Sequence, residues 1–383
     1  MRILISTSSF GDSYIFSIDL AKSLQQMGVE VFLAVSGAQL NNRQKEELKP
    51  FNYAFAEYKQ LGMNNPWSDI LEQGQWLMKL KNKFRPDLVQ LNSMTFGSLP
   101  WGVPVVNVIH SCMLSRSKAL NNNKLPRHWA KYREMAGKSL RVSDAVVALT
   151  PSALSEAEAV YGPFKSSRVI PPGRCAYTFR SGVKKNCIFT NGKLTDDAHN
   201  LKLILEAAPE IDYPIYIADS QGHMNVKNLP ENVFLIGPVY GKKLCDWLSS
   251  ASVYVLPAKY EPFGYSFVEA ALSKCALIGG NISSLRETWG DAMIYVENKD
   301  GLVKKINRLM ENMDEKYLSG QKAYETALEN YTLIKMARRY YRLYEQMIQA
   351  KPEVINRLRE KQRFQKTRVF RYKKAQLSDD VLV

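Results

Sequence analysis

No two cysteines in this chain stand at the C-x-x-C spacing of a zinc ribbon or a thioredoxin-like redox site. The five that occur, Cys112, Cys175, Cys187, Cys245 and Cys275, are odd in number and scattered, which reads as free thiols in a reducing compartment. No apolar stretch approaches the roughly 18 residues of a membrane-spanning helix. The opening MRILISTSSF has one Arg and a short apolar run, too short for the core of a signal peptide and suited to a buried strand. A cytoplasmic location is expected.

Several catalytic signatures are missing as well. No G-x-G-x-x-G follows the first apolar run, so a dinucleotide site lacks its fingerprint. Gly137, Lys138 and Ser139 read GKS, but Tyr132 stands where a P-loop needs its first glycine. No G-x-S-x-G, H-E-x-x-H or D-x-D occurs. The last absence argues against a metal-bridged sugar–diphosphate site. Anions held without metal need helix N-termini, glycine turns and basic side chains.

What the sequence has in excess is positive charge. It holds 52 Lys and Arg against 37 Asp and Glu, a net +15. Residues 1–168 carry +7, residues 169–350 only +2 and residues 351–383 the remaining +6. Such an excess points to anionic partners such as nucleotides, nucleic acid or a membrane surface. With 383 residues, 45% of them hydrophobic and 23% charged, the chain has the size and composition of two globular domains.

Short apolar, β-branched runs alternate with helical patterns, the mark of parallel α/β units. Strands are expected at 2–7, 29–35, 87–92, 104–109 and 144–149, and in a second series at 187–192, 214–219, 233–237, 253–258, 276–280 and 292–296. Helical patterns fall at 14–27 and 66–83, then at about 198–208, 240–250, 264–274, 300–312 and 315–329. The segment RVIPPGRCAYTFRSGVKK has paired prolines and little periodicity, so it reads as a linker. The division is therefore 1–168, a linker at 169–186, 187–330, an amphipathic helix at 331–349 and a basic tail at 350–383. That helix places Ile334, Met336, Tyr340, Leu343 and Met347 on one face. The fold class is α/β, two doubly wound Rossmann-like domains facing each other across a cleft. Ligands of such sheets bind beyond the carboxyl ends of the strands.

One segment supplies parts for anion binding: LPAKYEPFGYSFVEAALSKCALIGG, residues 256–280. A strand ends near Pro257, and a turn through Glu261, Pro262, Phe263 and Gly264 leads into a helix near Tyr265. Free N–H groups at that helix start, beside a glycine, make a diphosphate cradle. Glu261 and Glu269 are eight residues apart and can line one cleft mouth, where carboxylates accept hydrogen bonds from ribose or sugar hydroxyls.

The string EPFGYSFVEAALSKCALIGG, with SSLRETWGDAMIYV after it, resembles the donor site of retaining family 4 glycosyltransferases of the GT-B fold, which carry a Glu-x7-Glu motif. The resemblance extends over most of residues 1–349, including 91–111, 150–162 and 189–201. It implies that Glu269 holds the ribose of a nucleotide-sugar (UDP-, GDP- or ADP-linked) and that Glu261 contacts the transferred sugar. It implies that the N–H groups of Phe263, Gly264 and Tyr265 take the distal phosphate and sugar hydroxyls. Gly11 would let backbone approach that phosphate from the first domain, Val239 would lie near the base, and His110 would sit by the reacting carbon. The helix at 331–349 would cross back to the first domain. Transfer would proceed with retention, without a metal cofactor, to a carbohydrate or glycolipid acceptor.

Two departures from the family pattern stand out. Its usual Arg is Lys193 here, which keeps the charge and loses the bidentate fork. Its usual Lys is His199, uncharged at neutral pH unless perturbed. Lys202, on the same helical face, is the candidate substitute. The first-strand loop, STSSFGDSY, is also shortened, with a single glycine.

The stretch 113–141 holds Arg116, Lys118, Lys124, Arg127, Lys131, Arg133, Lys138 and Arg141 against Glu134 alone. Trp129, Tyr132, Met135, Ala136 and Leu140 recur at helical spacing, making 127–141 an amphipathic basic helix. On the acceptor side of the cleft it would meet a charged acceptor or the anionic inner face of a membrane. The tail would do likewise or remain a solubilising extension. Rival readings are a non-catalytic nucleotide-sugar-binding partner subunit, kept open by His199 and the Gly11 loop, and a nucleotide-sugar epimerase, which the Glu-x7-Glu spacing disfavours. Nucleic-acid binding rests on charge alone and is not expected.

Overall fold

The computed structural model describes residues 1–60, 63, 65–120, 128–219 and 228–350. Two parallel sheets with helices between their strands make up the chain. The first comprises β1 (Arg2–Ser8), α1 (Gly11–Gln26), β2 (Glu30–Gly37), α2 (Asn42–Leu48), β3 (Asn52–Glu57), α3 (Trp67–Phe84), β4 (Leu88–Leu91), β5 (Val105–Ile109), α4 (Met113–Ala119), α5 (His128–Val142), β6 (Ala145–Ala148), α6 (Pro151–Tyr161) and β7 (Ser167–Val169). Strands such as AVVA of β6 and VVNVI of β5 are buried along their whole length, because helices cover both faces.

The second comprises β8 (Lys185–Gly192), α7 (Leu201–Ala207), β9 (Ile215–Asp219), β10 (Val233–Leu235), α8 (Lys242–Ser250), β11 (Ala251–Leu256), α9 (Tyr265–Leu272), β12 (Ala276–Gly280), α10 (Ser283–Trp289), β13 (Ile294–Val296), α11 (Lys299–Glu311) and α12 (Met313–Asn330), followed by α13 (Leu333–Gln349). The first sheet runs β3-β2-β1-β4-β5-β6-β7 and the second β10-β9-β8-β11-β12-β13. The order reverses between β1 and β4, and between β8 and β11. Those two points are where such folds open a crevice for ligands.

α13 leaves the second domain and lies on the first. Met336, Ala337, Tyr340, Leu343 and Tyr344 are its buried face, and the Tyr344 hydroxyl donates to Gln90 on β4. Ile334, expected on that face, is 56% exposed, because at 3.6 residues per turn it falls about 120° around the helix from the buried face centred on Tyr340. Strand β7 extends the first sheet to residue 169 and β8 starts at 185, so the linker is slightly shorter than the sequence suggests. Opposite the linker, the lips of the two domains are joined. Thr150 donates to the Pro262 carbonyl, and the Ser152 N–H, at the start of α6, donates to Glu287 on α10.

Candidate active site in the interdomain cleft

The turn that ends β11 is tied to the loop that follows β8. The Lys259 N–H donates to the Ala198 carbonyl, and the Asn200 amide donates to the Pro257 carbonyl at 3.0 Å. Chain direction then reverses at Gly264, whose φ of +89° and lack of space beside the Phe267 ring both require glycine. Helix α9 starts there. Just ahead of it, the Gly264 and Phe263 N–H groups donate to Glu261 Oε1 at 2.9 and 3.3 Å. The carboxylate of the turn thus holds the two N–H groups that lead into α9. Burial, then the nearby Asp12 charge, push Glu261 up to about 7, against the two N–H bonds.

Across the cleft lies the start of α1. Gly11 has φ +74°, with open space where a Cβ would stand, and Asp12 occupies the first helical turn. His110 follows β5 directly. Its Nε2 lies 3.1 Å from Asn92 Oδ1, and its ring stands edge-on to Phe16 at 4.8 Å. Asn92 Oδ1 is an acceptor, so that nitrogen carries the proton. Burial lowers the imidazole pKa to about 3, and His110 is neutral and fixed in orientation. A pocket of about 320 Å³ opens beside His110 and Glu261, lined by hydroxyl-bearing residues of both domains, Ser111, Ser152 and Ser283 among them.

The α4 segment grips the second domain twice. The Tyr260 hydroxyl accepts from the Cys112 N–H at 3.0 Å. Arg116 pairs with Asp196 at 2.6 Å. Burial works to raise Asp196, but the Ala198 N–H and Arg116 outweigh it and hold the carboxyl below its usual range.

Two family models match in tandem, "Glycosyltransferase Family 4" over residues 15–174 and "Glycosyl transferases group 1" over residues 179–326. The chain belongs to the glycosyltransferases they describe. The D-inositol 3-phosphate glycosyltransferase of Paenarthrobacter aurescens is 25% identical over 221 residues, 50% of this chain and 53% of that protein. The chain thus spans about half the length of that relative. Sucrose-phosphate synthase from Thermosynechococcus elongatus superimposes with a TM-score of 0.77 at 14% identity, over 91% of this chain and all of the other. HepE of Anabaena, solved in complex with UDP-glucose, superimposes with a TM-score of 0.72 at 14% identity, over 90% of this chain and all of the other. The fold of this glycosyltransferase chain is GT-B.

Within that fold the residues singled out from the sequence fall in four places. Glu261, Phe263, Gly264, Tyr265, Gly11 and His110 meet around the cleft. Lys193 and His199 lie on the adjoining β8–α7 loop, where the Lys193 N–H donates to His199 Nδ1 at 3.2 Å. That bond leaves His199 Nδ1 unprotonated, and burial lowers its pKa, so the departure from Lys does cost a charge. Val239, half-buried beyond β10, packs on the second-domain core. Glu269 is buried on α9 and ion-paired to Arg174 at 2.8 Å.

Other assignments change. Lys202 pairs with Asp197 on the surface with 63% of its side chain exposed, because the first turn of α7 points it at that carboxylate and not into the cleft. Arg116 is an interdomain bridge, not a free acceptor-side cation. Lys131 lies over the Trp67 ring at 4.3 Å, so part of the α5 charge packs on α3. Tyr132, Ala136 and Leu140 are buried and Trp129 packs beside them, the apolar face the sequence implied. Lys118, Arg133 and Lys138 are exposed. Lys124, Arg127 and the tail at 351–383 lie outside the described residues. The sequence reading missed Asp12, Asp19, Arg174 and Tyr260. Arg174 stood in the linker with no periodic signal, and only the fold brings these four to the cleft.

Proposed function

We propose that this protein transfers a sugar from a nucleotide-sugar to an acceptor hydroxyl, with retention at the anomeric carbon and without a metal ion. The observation that carries this reading is the pocket that His110 of the first domain and Glu261 of the second line together, with Asp12 in the first turn of α1 near enough for its charge to act on Glu261 and on Tyr265 at the start of α9. On this reading Glu269 takes the ribose and the α9 N–H groups take the distal phosphate. Glu261 turns from those N–H groups to a hydroxyl of the transferred sugar. Neutral His110 orients a second hydroxyl, or its carbonyl faces the developing positive charge. The anomeric carbon–phosphate oxygen bond breaks, the acceptor oxygen bonds to the same face, and its proton passes to the departing phosphate. Such a step needs positioning and charge stabilisation, supplied here by Lys193 and the α9 start.

The acceptor, a carbohydrate or glycolipid, would enter through the pocket beside His110. Exposed Lys118, Arg133 and Lys138 would meet an anionic membrane from the same side. No described helix is long and apolar enough to cross a membrane. Vesicles of anionic lipid test the contact: recovery only in the supernatant at low salt would refute it. A second reading, a non-catalytic donor-binding subunit, is favoured by the neutral His199 and by the Phe263 and Gly264 N–H groups that Glu261 already holds.

Thermal shift against UDP-, GDP- and ADP-sugars, followed by a transfer assay with the one that binds, separates these readings. Stabilisation with turnover supports the enzyme, and stabilisation without turnover the binding subunit. No shift with any nucleotide-sugar refutes both. UDP-glucose is the first probe, given its presence in HepE.

A further inference from the structure

Arg174 is built into the hinge. Its backbone N–H donates to the Tyr331 carbonyl at 2.9 Å, and its carbonyl accepts from the Leu333 N–H at 3.1 Å. An added Cβ at Gly173 would fall on the Thr332 carbonyl, so the chain passes α13 in close contact. From this anchored backbone the side chain reaches between the domains. One terminal nitrogen donates to Asp19 on α1, and the other lies 2.8 Å from Glu269 Oε1 on α9. The Phe179 ring lies 5.2 Å from the guanidinium carbon. The Arg174 and Glu269 side chains are 14% and 8% exposed, so the pair is nearly removed from water. Arg174 Nε is buried and has no hydrogen-bond partner.

We propose that Arg174 is a positioning residue for the nucleotide ribose, fixing Glu269 on one oxygen so that the other faces the sugar's diol. This rests on Glu269 being the ribose acceptor, as proposed above. A carboxylate accepts on both oxygens, and a planar guanidinium held from its far side by Asp19 leaves the acid little freedom to turn. Without that cation Glu269 would face burial together with the charges of Asp12 and Asp19, and Cys245 and Tyr265 nearby offer no compensating positive charge. It would take up a proton and lose acceptor capacity. Burial already raises its pKa, and Arg174 is the group that opposes the rise.

Calorimetric titration of the full-length protein with UDP and with 2′,3′-dideoxy-UDP tests the assignment, or the same pair with GDP or ADP where that base is the one that binds. Wild type is expected to favour the ribo form by about tenfold or more, the size that hydrogen bonds to a charged group give. Arg174→Gln should bring the ratio to near one, and Arg174→Lys to an intermediate value. A merely structural role would weaken both nucleotides equally. Should Arg174→Gln not fold, Arg174→Lys is read alone, and an unchanged ratio overturns the proposal. Glu269→Gln separates the two failures. If it loses the preference while Arg174→Gln keeps it, the ribose site stands and the role of Arg174 falls. If Glu269→Gln keeps the preference, the ribose assignment itself falls.

Discussion

Replacing Glu261 by Gln is expected to stabilise the unliganded protein while it stops sugar transfer. The carboxyl lies half-buried between domains with Asp12 nearby, and its pKa rises from 4.5 to about 7 on folding. A group with a raised folded pKa binds protons more tightly when folded. Its ionisation therefore opposes folding progressively as pH rises from 4.5 to about 7. The shift corresponds to about 3 kcal/mol at full ionisation. Solvent reaching the side chain from the cleft brings this to about 2 kcal/mol. Gln keeps an oxygen for the Gly264 and Phe263 N–H groups and carries no charge to desolvate. At pH 8 Glu261→Gln should melt about 4–8 °C above wild type for a cooperative unit of one domain's size. The gap should close as pH falls toward 4.5. Melting curves recorded at half-unit pH steps decide the matter. Parallel profiles for the two proteins, or a lower Tm for the variant at pH 8, would refute the placement of a desolvated, ionised carboxylate just ahead of α9.

Glu261→Ala and Lys193→Ala should each abolish transfer from a verified donor with the circular dichroism spectrum unchanged. Near-normal turnover in both would mean that the site lies elsewhere. Asp12→Asn removes the like charge facing Glu261, so the acidic limb of donor KM against pH should move to lower pH, and an unmoved limb would exclude that coupling. Gly173→Ala drives a Cβ into the Thr332 carbonyl and should cost about 1–3 kcal/mol in urea unfolding, as overpacking does. A wild-type midpoint would show that the hinge backbone yields freely.

Both sheets were readable because their central strands are buried on two faces and leave continuous apolar runs. The edges were not. NYAFAE of β3 is exposed or half-buried along its length, and β7 has three residues, so neither leaves such a run. Short α2 carried a usable signal, the Asn41–Gln44 capping box, which periodicity over longer windows passes over. The candidate site divides in the same way. Glu261 through Glu269 is one local string whose turn and helix start follow from glycine and spacing. Arg174, Asp19 and Tyr260 act through partners 95 to 155 residues away, or nearly as far, and no local pattern encodes such pairings. Composition alone also could not separate charges spent on neighbours, such as Arg116 and Lys131, from those left for ligands.

Because α13 lies on the first domain, that domain is not a contiguous piece of chain. Tyr340 and Tyr344 fill its surface beside Phe16 and Gln90, yet they are synthesised after the whole second domain. During translation, at roughly 5–20 residues per second, the first sheet waits many seconds for its last covering helix. Its apolar flank beside α1 stays open throughout that interval. A chain ending before residue 333 would keep that flank open permanently, so the second domain can be released as an independent unit more readily than the first.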